Sequence, residues 1–240
     1  MIKFLNQILK IHNLSYSTVT VSSQFRGIST SGTIVKSAMF NLKEATKDQV
    51  QEFLNSFDTV LTDCDGEIII CNYVVIVFQE EILTAAFLVA HYFKGIQFNK
   101  KVYLLGSHGI GEELEAVGVR HIGVGPDHVK PDVKSTKLSE LDPEVGAVVV
   151  GFDAHVSYPK LLKAATYLAS EQCLFVATNT EDRFHRPNSI VIPGTGTLVR
   201  AVETCSARKA LVVGKPYSYI RKYLESIGLN PARTLMIGDR

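Results

Sequence analysis

From residue 57 onward, short apolar runs recur at 57–63, 101–106, 121–125, 147–152, 173–179, 209–214 and 234–238, all but 147–152 closing on Gly, Asp or Asn. Several set Val, Ile and Leu side by side instead of alternating them with polar residues, as strands covered on both faces do. Between them, 80–94, 158–170, 197–207 and 218–227 space their apolar residues for one face of a helix. Strand alternating with helix predicts parallel sheets with crossover connections, and so a doubly wound α/β fold. In such sheets chemistry gathers at the carboxyl ends of the strands. That rule singles out Asp63, Asp65, Lys215 and Asp239, each just past an apolar run.

Phe57-Asp58-Thr59-Val60-Leu61-Thr62-Asp63-Cys64-Asp65-Gly66 delivers two carboxylates at i and i+2, with a glycine to permit a sharp turn. Two acids so close repel unless a cation or a proton lies between them, and Mg²⁺ suits their oxygen ligands. The first carboxylate can attack phosphorus while the second protonates the leaving oxygen and later activates water. An Asp-rich turn, or the DxD metal motif of a glycosyltransferase, is the competing reading. Lys209-Ala210-Leu211-Val212-Val213-Gly214-Lys215-Pro216 ends a buried strand on a lysine able to offset charge at a phosphate. A solvated lysine at a strand end is the plainer alternative. Thr234-Leu235-Met236-Ile237-Gly238-Asp239-Arg240 offers Asp239 as a candidate metal ligand.

Composition narrows the field. Lys plus Arg number 25 against 24 acids, which gives no net field favouring nucleic acid or a membrane surface. Hydrophobic residues are 46% and charged residues 20%, and no apolar run reaches the length of a membrane span. Four cysteines without CxxC spacing read as reduced thiols of a cytoplasmic protein. The first stretch differs: no acid precedes Glu44, and Lys3, Lys10, Arg26 and Lys36 are spread through Ser/Thr-rich sequence. Residues 1–41 are therefore expected to lie outside the fold, as a mitochondrial transit peptide or an unstructured extension.

Taken in order, the DxDG, GKP and GDR motifs resemble the haloacid dehalogenase-like hydrolase superfamily. Residues 42–240 resemble its phosphoglycolate, pyridoxal and 4-nitrophenyl phosphatase branch. The likeness rests on 61–66, 147–152 with 158–162, 193–198 with 202–203, 212–216 and 234–240. It implies a Rossmann-like parallel-sheet core at 42–81 and 193–240, with an inserted α/β cap at 82–192 through which relatives often dimerise. It implies Asp63 as nucleophile, Asp65 as general acid/base and Lys215 as the charge-balancing lysine, with Mg²⁺ held by Asp63, the Asp65 carbonyl and Asp239. The substrate, a small phosphorylated metabolite, is expected against Gly66, Asn179, Arg183 and His185. Thr178-Asn179-Thr180-Glu181-Asp182-Arg183 looks more like phosphoglycolate-type enzymes, whereas Phe184-His185 imitates the Trp-His of pyridoxal-type relatives one position out of register. Phosphoglycolate is the first expected substrate, pyridoxal 5′-phosphate the second and 4-nitrophenyl phosphate an artificial one.

The sequence departs from that family twice. After Gly66 relatives add a helix and a second core strand ending in a phosphate-binding Thr/Ser-Asn motif, whereas here 67–78 runs almost directly into the helical segment 80–94. The further acid that relatives place after the glycine-aspartate turn is missing as well, since Arg240 ends the sequence. The core is thus expected to be incomplete, and losing one pre-organised donor costs about 10²–10³ in rate. The strand 173–179 also ends in Thr-Asn, yet the resemblance puts it in the cap. A catalytically impaired member acting as a binding or dimerisation module is the alternative function. The glycine-rich stretch 106–111 reads as a plain turn before a helix.

Overall fold

The structure is a computed structural model that describes residues 45–62, 82–127, 141–185, 190–215 and 218–237. The segment 1–41 and the expected site residues Asp63, Asp65, Gly66 and Asp239 lie outside the described residues. The fold is mixed α/β with parallel sheets, as the alternating pattern predicts. The chain divides into two compact units, Met1–Ile76 with Leu224–Arg240, and Val77–Tyr223.

In the smaller unit, helix α1 (Lys47–Asn55) starts on a capping box. The Gln49 N–H donates to the Thr46 hydroxyl, and the Thr46 N–H donates to the Gln49 side chain at 2.9 Å. Strand β1 (Thr59–Thr62) pairs in parallel with β9 (Thr234–Ile237), in register from Thr59↔Thr234 to Thr62↔Ile237. Arg233, in the 3₁₀ turn Pro231–Arg233, fixes the amino ends of this pair. Its guanidinium donates to both oxygens of Asp58 and to the Asn55 carbonyl, and the Asp58 N–H donates to the Arg233 carbonyl at 2.9 Å. Hydrogen bonds from Arg233 hold the Asp58 carboxyl below its ordinary range.

The larger unit is built on a five-stranded sheet of order β3-β2-β4-β5-β8. Its strands are β2 (Lys101–Leu105), β3 (His121–Ile122), β4 (Val145–Val150), β5 (Leu174–Ala177) and β8 (Leu211–Val212). Every adjacent pair is parallel. Alternate side chains go to opposite faces. Val102, Leu104, Ala147, Val149, Val176 and Val213 pack under α2 (Ala85–Gly95) and α3 (His108–Ala116), burying Leu88, Val89, Phe93, Ile110 and Leu114. Tyr103, Leu105, Val148, Val150, Phe175 and Ala177 pack on the other face under α4 (Tyr158–Leu168) and α5 (Thr195–Ser206). Two covered faces are why these strands read as unbroken apolar runs.

Local signals set the helix ends. The Thr84 hydroxyl caps α2 by accepting from the Phe87 N–H at 3.0 Å. Helix α5 ends on Ala207 in the left-handed region, φ 55°. From α6 (Ser218–Ser226), Tyr223 meets the Phe87 and His91 rings of α2 edge-on, Tyr219 lies tilted against His91, and the Tyr219 hydroxyl meets His91 Nδ1 at 2.9 Å.

Two details differ from the sequence reading. The glycines of 106–111 are not all in a turn, because α3 already begins at His108 and takes in Gly109 and Gly111. A Cβ at Gly111 would lie 2.7 Å from the His121 ring, so the ring packs directly on this turn of the helix. A short antiparallel hairpin, β6 (Arg183–His185) with β7 (Val191–Pro193), also follows β5. Among the described residues, no helix is long and apolar enough to cross a membrane.

Candidate active site

Asn179 and Lys215, from separate stretches of sequence, both follow strands at the carboxyl edge of the five-stranded sheet. β5 and β8 are parallel neighbours, paired through Val176↔Leu211 and Ala177↔Val212. Beyond the last pair the chains stay joined. The Val213 N–H donates to the Ala177 carbonyl at 3.0 Å, and the Gly214 N–H donates to the Thr178 carbonyl at 2.9 Å. Lys215 comes next in the chain, exposed, beside a loop that opens with Thr178 and Asn179. The Thr178 side chain is 4% exposed, and its hydroxyl donates to Asn179 Oδ1 at 2.7 Å. Asn179 in turn donates from Nδ2 to the Glu181 carboxylate at 3.0 Å. Arg183, exposed, lies further on in β6, as does His185, where they pair with Pro193 and Val191.

Glycine makes this edge possible. A Cβ on Gly214 would stand 2.3 Å from the Thr178 carbonyl oxygen. On Gly196 it would be 2.3 Å from the Thr180 carbonyl oxygen, and on Gly194 2.2 Å from that of Glu181. No L side chain fits so near a neighbouring backbone. The loop from Thr178 to Asp182 therefore rests on three glycines, of which Gly214 opens the GKP motif and Gly194 and Gly196 lie in the 193–198 stretch.

The neighbouring strand end is equally fixed. The Gly151 N–H donates to the Leu105 carbonyl at 2.7 Å, and the Thr178 N–H donates to the Val150 carbonyl at 3.0 Å. Just after β4, Asp153 takes a hydrogen bond from Lys160 Nζ at 2.7 Å and one from the His155 N–H at 2.8 Å. The sequence reading assigns this pair no chemistry, although Lys160 lies in the 158–162 stretch that carries the resemblance. Its local trace is an acid seven positions before a lysine on an otherwise apolar helix face.

In the smaller unit, β1 and β9 reach their carboxyl ends together at Thr62↔Ile237. Asp63 follows Thr62 directly and Asp239 follows Ile237 by two residues, both outside the described residues. Among the described residues, no group of three His, Cys, Asp or Glu side chains is placed to hold a metal ion.

Comparison with known proteins gives the chain its relatives. No protein-family model matches the chain. It is 50% identical over 142 residues to the glycerol-3-phosphate phosphatase of Rattus norvegicus, covering 58% of this chain and 44% of that protein. It is 38% identical over 168 residues to the chloroplastic phosphoglycolate phosphatase 1A of Arabidopsis thaliana, covering 68% and 46%. These relatives support the resemblance to the phosphatase branch of the haloacid dehalogenase-like superfamily. Among solved structures, the p-nitrophenyl phosphatase of Archaeoglobus fulgidus matches with a TM-score of 0.52 and 26% identity, over 67% of this chain and 54% of that one. The chain spans about half the length of the curated relatives it matches.

Proposed function

We propose that this chain hydrolyses small phosphomonoesters, with Asp63 as nucleophile, Asp65 as general acid/base and Lys215 as the cation balancing charge at the phosphate. The observation that carries this reading is the in-register parallel pairing of β1 with β9, because the partners Thr62 and Ile237 immediately precede Asp63 and the Gly238-Asp239 pair. Parallel strands that end together are where α/β enzymes collect reactive groups.

The Asp63 carboxylate attacks phosphorus in line while Asp65 delivers its proton to the departing ester oxygen. An aspartyl-phosphate forms on Asp63. Asp65, now a base, draws a proton from water, which releases phosphate and restores Asp63. Asp63, the Asp65 carbonyl and Asp239 form an all-oxygen donor set, the kind that suits Mg²⁺, and these are the residues that would hold it. When bound, Mg²⁺ supplies charge neutralisation at the phosphoryl oxygens.

The printed names of the relatives support a small phosphorylated substrate, glycerol 3-phosphate or phosphoglycolate. The loop sequence Thr-Asn-x-Glu-x-Arg favours phosphoglycolate, with pyridoxal 5′-phosphate behind it and 4-nitrophenyl phosphate as an artificial reporter. Phosphate release by purified protein, with and without Asp63→Asn, tests the reading. The wild type is expected to turn over and the variant to lose at least about 10³ of that rate. Equal release from both proteins sinks it.

A second reading, a binding or dimerisation module, draws on a specific feature of the larger unit. Phe152, Val156 and Tyr158 stand 45%, 39% and 64% exposed within one short segment after β4. Three large apolar side chains so close together suit a contact with a second copy of the chain. Light scattering of Tyr158→Glu against wild type decides it: a wild type that is monomeric at all concentrations removes this reading.

A further inference from the structure

Within the larger unit, on the α4 side of the sheet, a cavity of about 260 Å³ opens between β2, α4 and the stretch 122–127. It is smaller than the roughly 300–1,000 Å³ of most ligand pockets, so it suits a compact occupant. Tyr103 from β2 and Tyr167 from α4 line it, with Asp127, Asp142 and Lys163. None of the residues assigned to the phosphatase reaction is on its wall.

The Tyr103 side chain is the unusual member. The residue is 3% exposed, and its hydroxyl has no hydrogen-bond partner among the described residues. Burial, and after it the nearby Asp127 carboxylate and Tyr167 on the cavity wall, push this hydroxyl well above the ordinary tyrosine range, so it keeps its proton. A buried polar group left without a partner is destabilising, and native structures hold few of them. The opposite wall is drawn close by glycine. Gly123 and Gly125 sit in the left-handed region, at φ 103° and 83°. A Cβ on Gly123 would stand 2.8 Å from the Leu104 carbonyl oxygen and 3.0 Å from the Tyr103 ring.

Charges around the cavity cancel in pairs. Lys163 Nζ meets the Asp127 carboxylate at 2.6 Å, and Lys101 binds Asp142. An anion there would face two carboxylates, and a cation would compete with a lysine already in place. Neutral groups that donate and accept are matched better. The Tyr167 hydroxyl accepts from the Asp142 N–H at 3.0 Å and retains its own proton to donate, while the Tyr103 hydroxyl is open to both roles. The tyrosine rings, Ile122 and Val124 offer apolar surface to the C–H faces of the same ligand.

We propose that this cavity binds a small neutral polyol, between glycerol and a monosaccharide in size, with the Tyr103 hydroxyl as its central hydrogen-bonding group. The site stands apart from the proposed reaction and does not depend on it.

The test follows the Gly123 and Gly125 amide resonances of the full chain while glycerol, myo-inositol or glucose is added. Sodium acetate and tetramethylammonium chloride serve as charged counterparts. Saturable shifts at both amides are expected with at least one of the polyols, at a dissociation constant of about 1 mM, and with neither ion. Tyr103→Phe removes the hydroxyl alone. It is expected to weaken that polyol about tenfold, and to leave the denaturant midpoint without polyol equal to or above that of wild type, because no native hydrogen bond is lost. Amides that stay unshifted with all the polyols leave the cavity to water and overturn the proposal. A saturable response to either ion makes the ligand a charged one and does the same. Undiminished affinity in Tyr103→Phe overturns it too, as does a lowered midpoint in that variant, which shows that the hydroxyl already has a partner. Phosphate release is read in no arm, so the result stands whether or not the chain is a phosphatase.

Discussion

Lys160 reaches Asp153 across 2.7 Å with both side chains almost withdrawn from solvent, at 1% and 2% exposure. The pair joins the turn after β4 to the first turns of α4, at the edge that also carries Thr178 and Gly214. Removing one member leaves the other charge buried and uncompensated. Lys160→Met or Asp153→Asn is therefore expected to destabilise the fold by about 3–5 kcal/mol, whereas replacing both with apolar residues of similar volume costs much less. Urea titrations of the two single variants and the double variant measure this, and additive single and double effects would contradict it.

Gly214 supplies a second prediction. Gly214→Ala drives a methyl group into the Thr178 carbonyl, a contact of backbone with backbone that no side-chain rotation relieves. Strain of this kind costs about 1–3 kcal/mol. Because Lys215 is the next residue, phosphate release is expected to fall about tenfold to a hundredfold as well. Stability and turnover measured on one preparation separate the two effects.

The acid limb of stability follows from a small ion cluster. Lys101 donates to both Asp142 and Glu144, and these hydrogen bonds hold the two carboxyls below their ordinary range while raising that of Lys101. A carboxyl whose folded value is depressed contributes fully above its unfolded value, about 4, and loses that contribution as pH falls through the folded value. Lys101, raised on folding, contributes below about 10.4 and loses that as pH climbs through its folded value. Lys101→Met is expected to be less stable than wild type at pH 7 and to converge on it below about pH 3. Denaturant midpoints at pH 7, 5, 4 and 3 record the convergence, and parallel curves would contradict it.

Thiol reactivity separates two cysteines. Burial pushes the Cys173 thiol up to about 11, while Cys205 is exposed on α5. Iodoacetamide at pH 8 is expected to modify Cys205 in the native protein and to reach Cys173 only after unfolding. Peptide mapping before and after denaturant checks both sites.

Much of the fold could be read from the sequence because its strands are buried on both faces. Ala147 to Val150 are fully buried, and an unbroken apolar run is what such a position demands. The segment 158–170 matches the start of α4 at Tyr158, whereas 80–94 begins too early, because α2 starts at Ala85 behind its Thr84 cap. The β6–β7 hairpin was not legible, since three-residue strands ending at Pro193 are too short to show a period. Helix α3 was misjudged at its start because glycine ordinarily breaks helices, whereas the His121 ring packs directly on Gly111. At the candidate site, Lys215 is singled out by the rule that reactive residues follow strands, and Asn179 only by the resemblance. Gly194, Thr197 and Arg200 were missed because their role lies in contacts with a loop some fifteen residues upstream, and no local pattern encodes such contacts.

The glycine support beneath residues 178–182 has a consequence for variation. Contacts made by carbonyl oxygens and peptide N–H groups survive a change of residue, so identities at 179, 180 and 181 can be exchanged without redrawing the loop. A randomised library confined to those positions, with Gly194, Gly196 and Gly214 kept, would present new chemistry on an unchanged scaffold. A protein so built can drift between metabolites over generations while its architecture stays still.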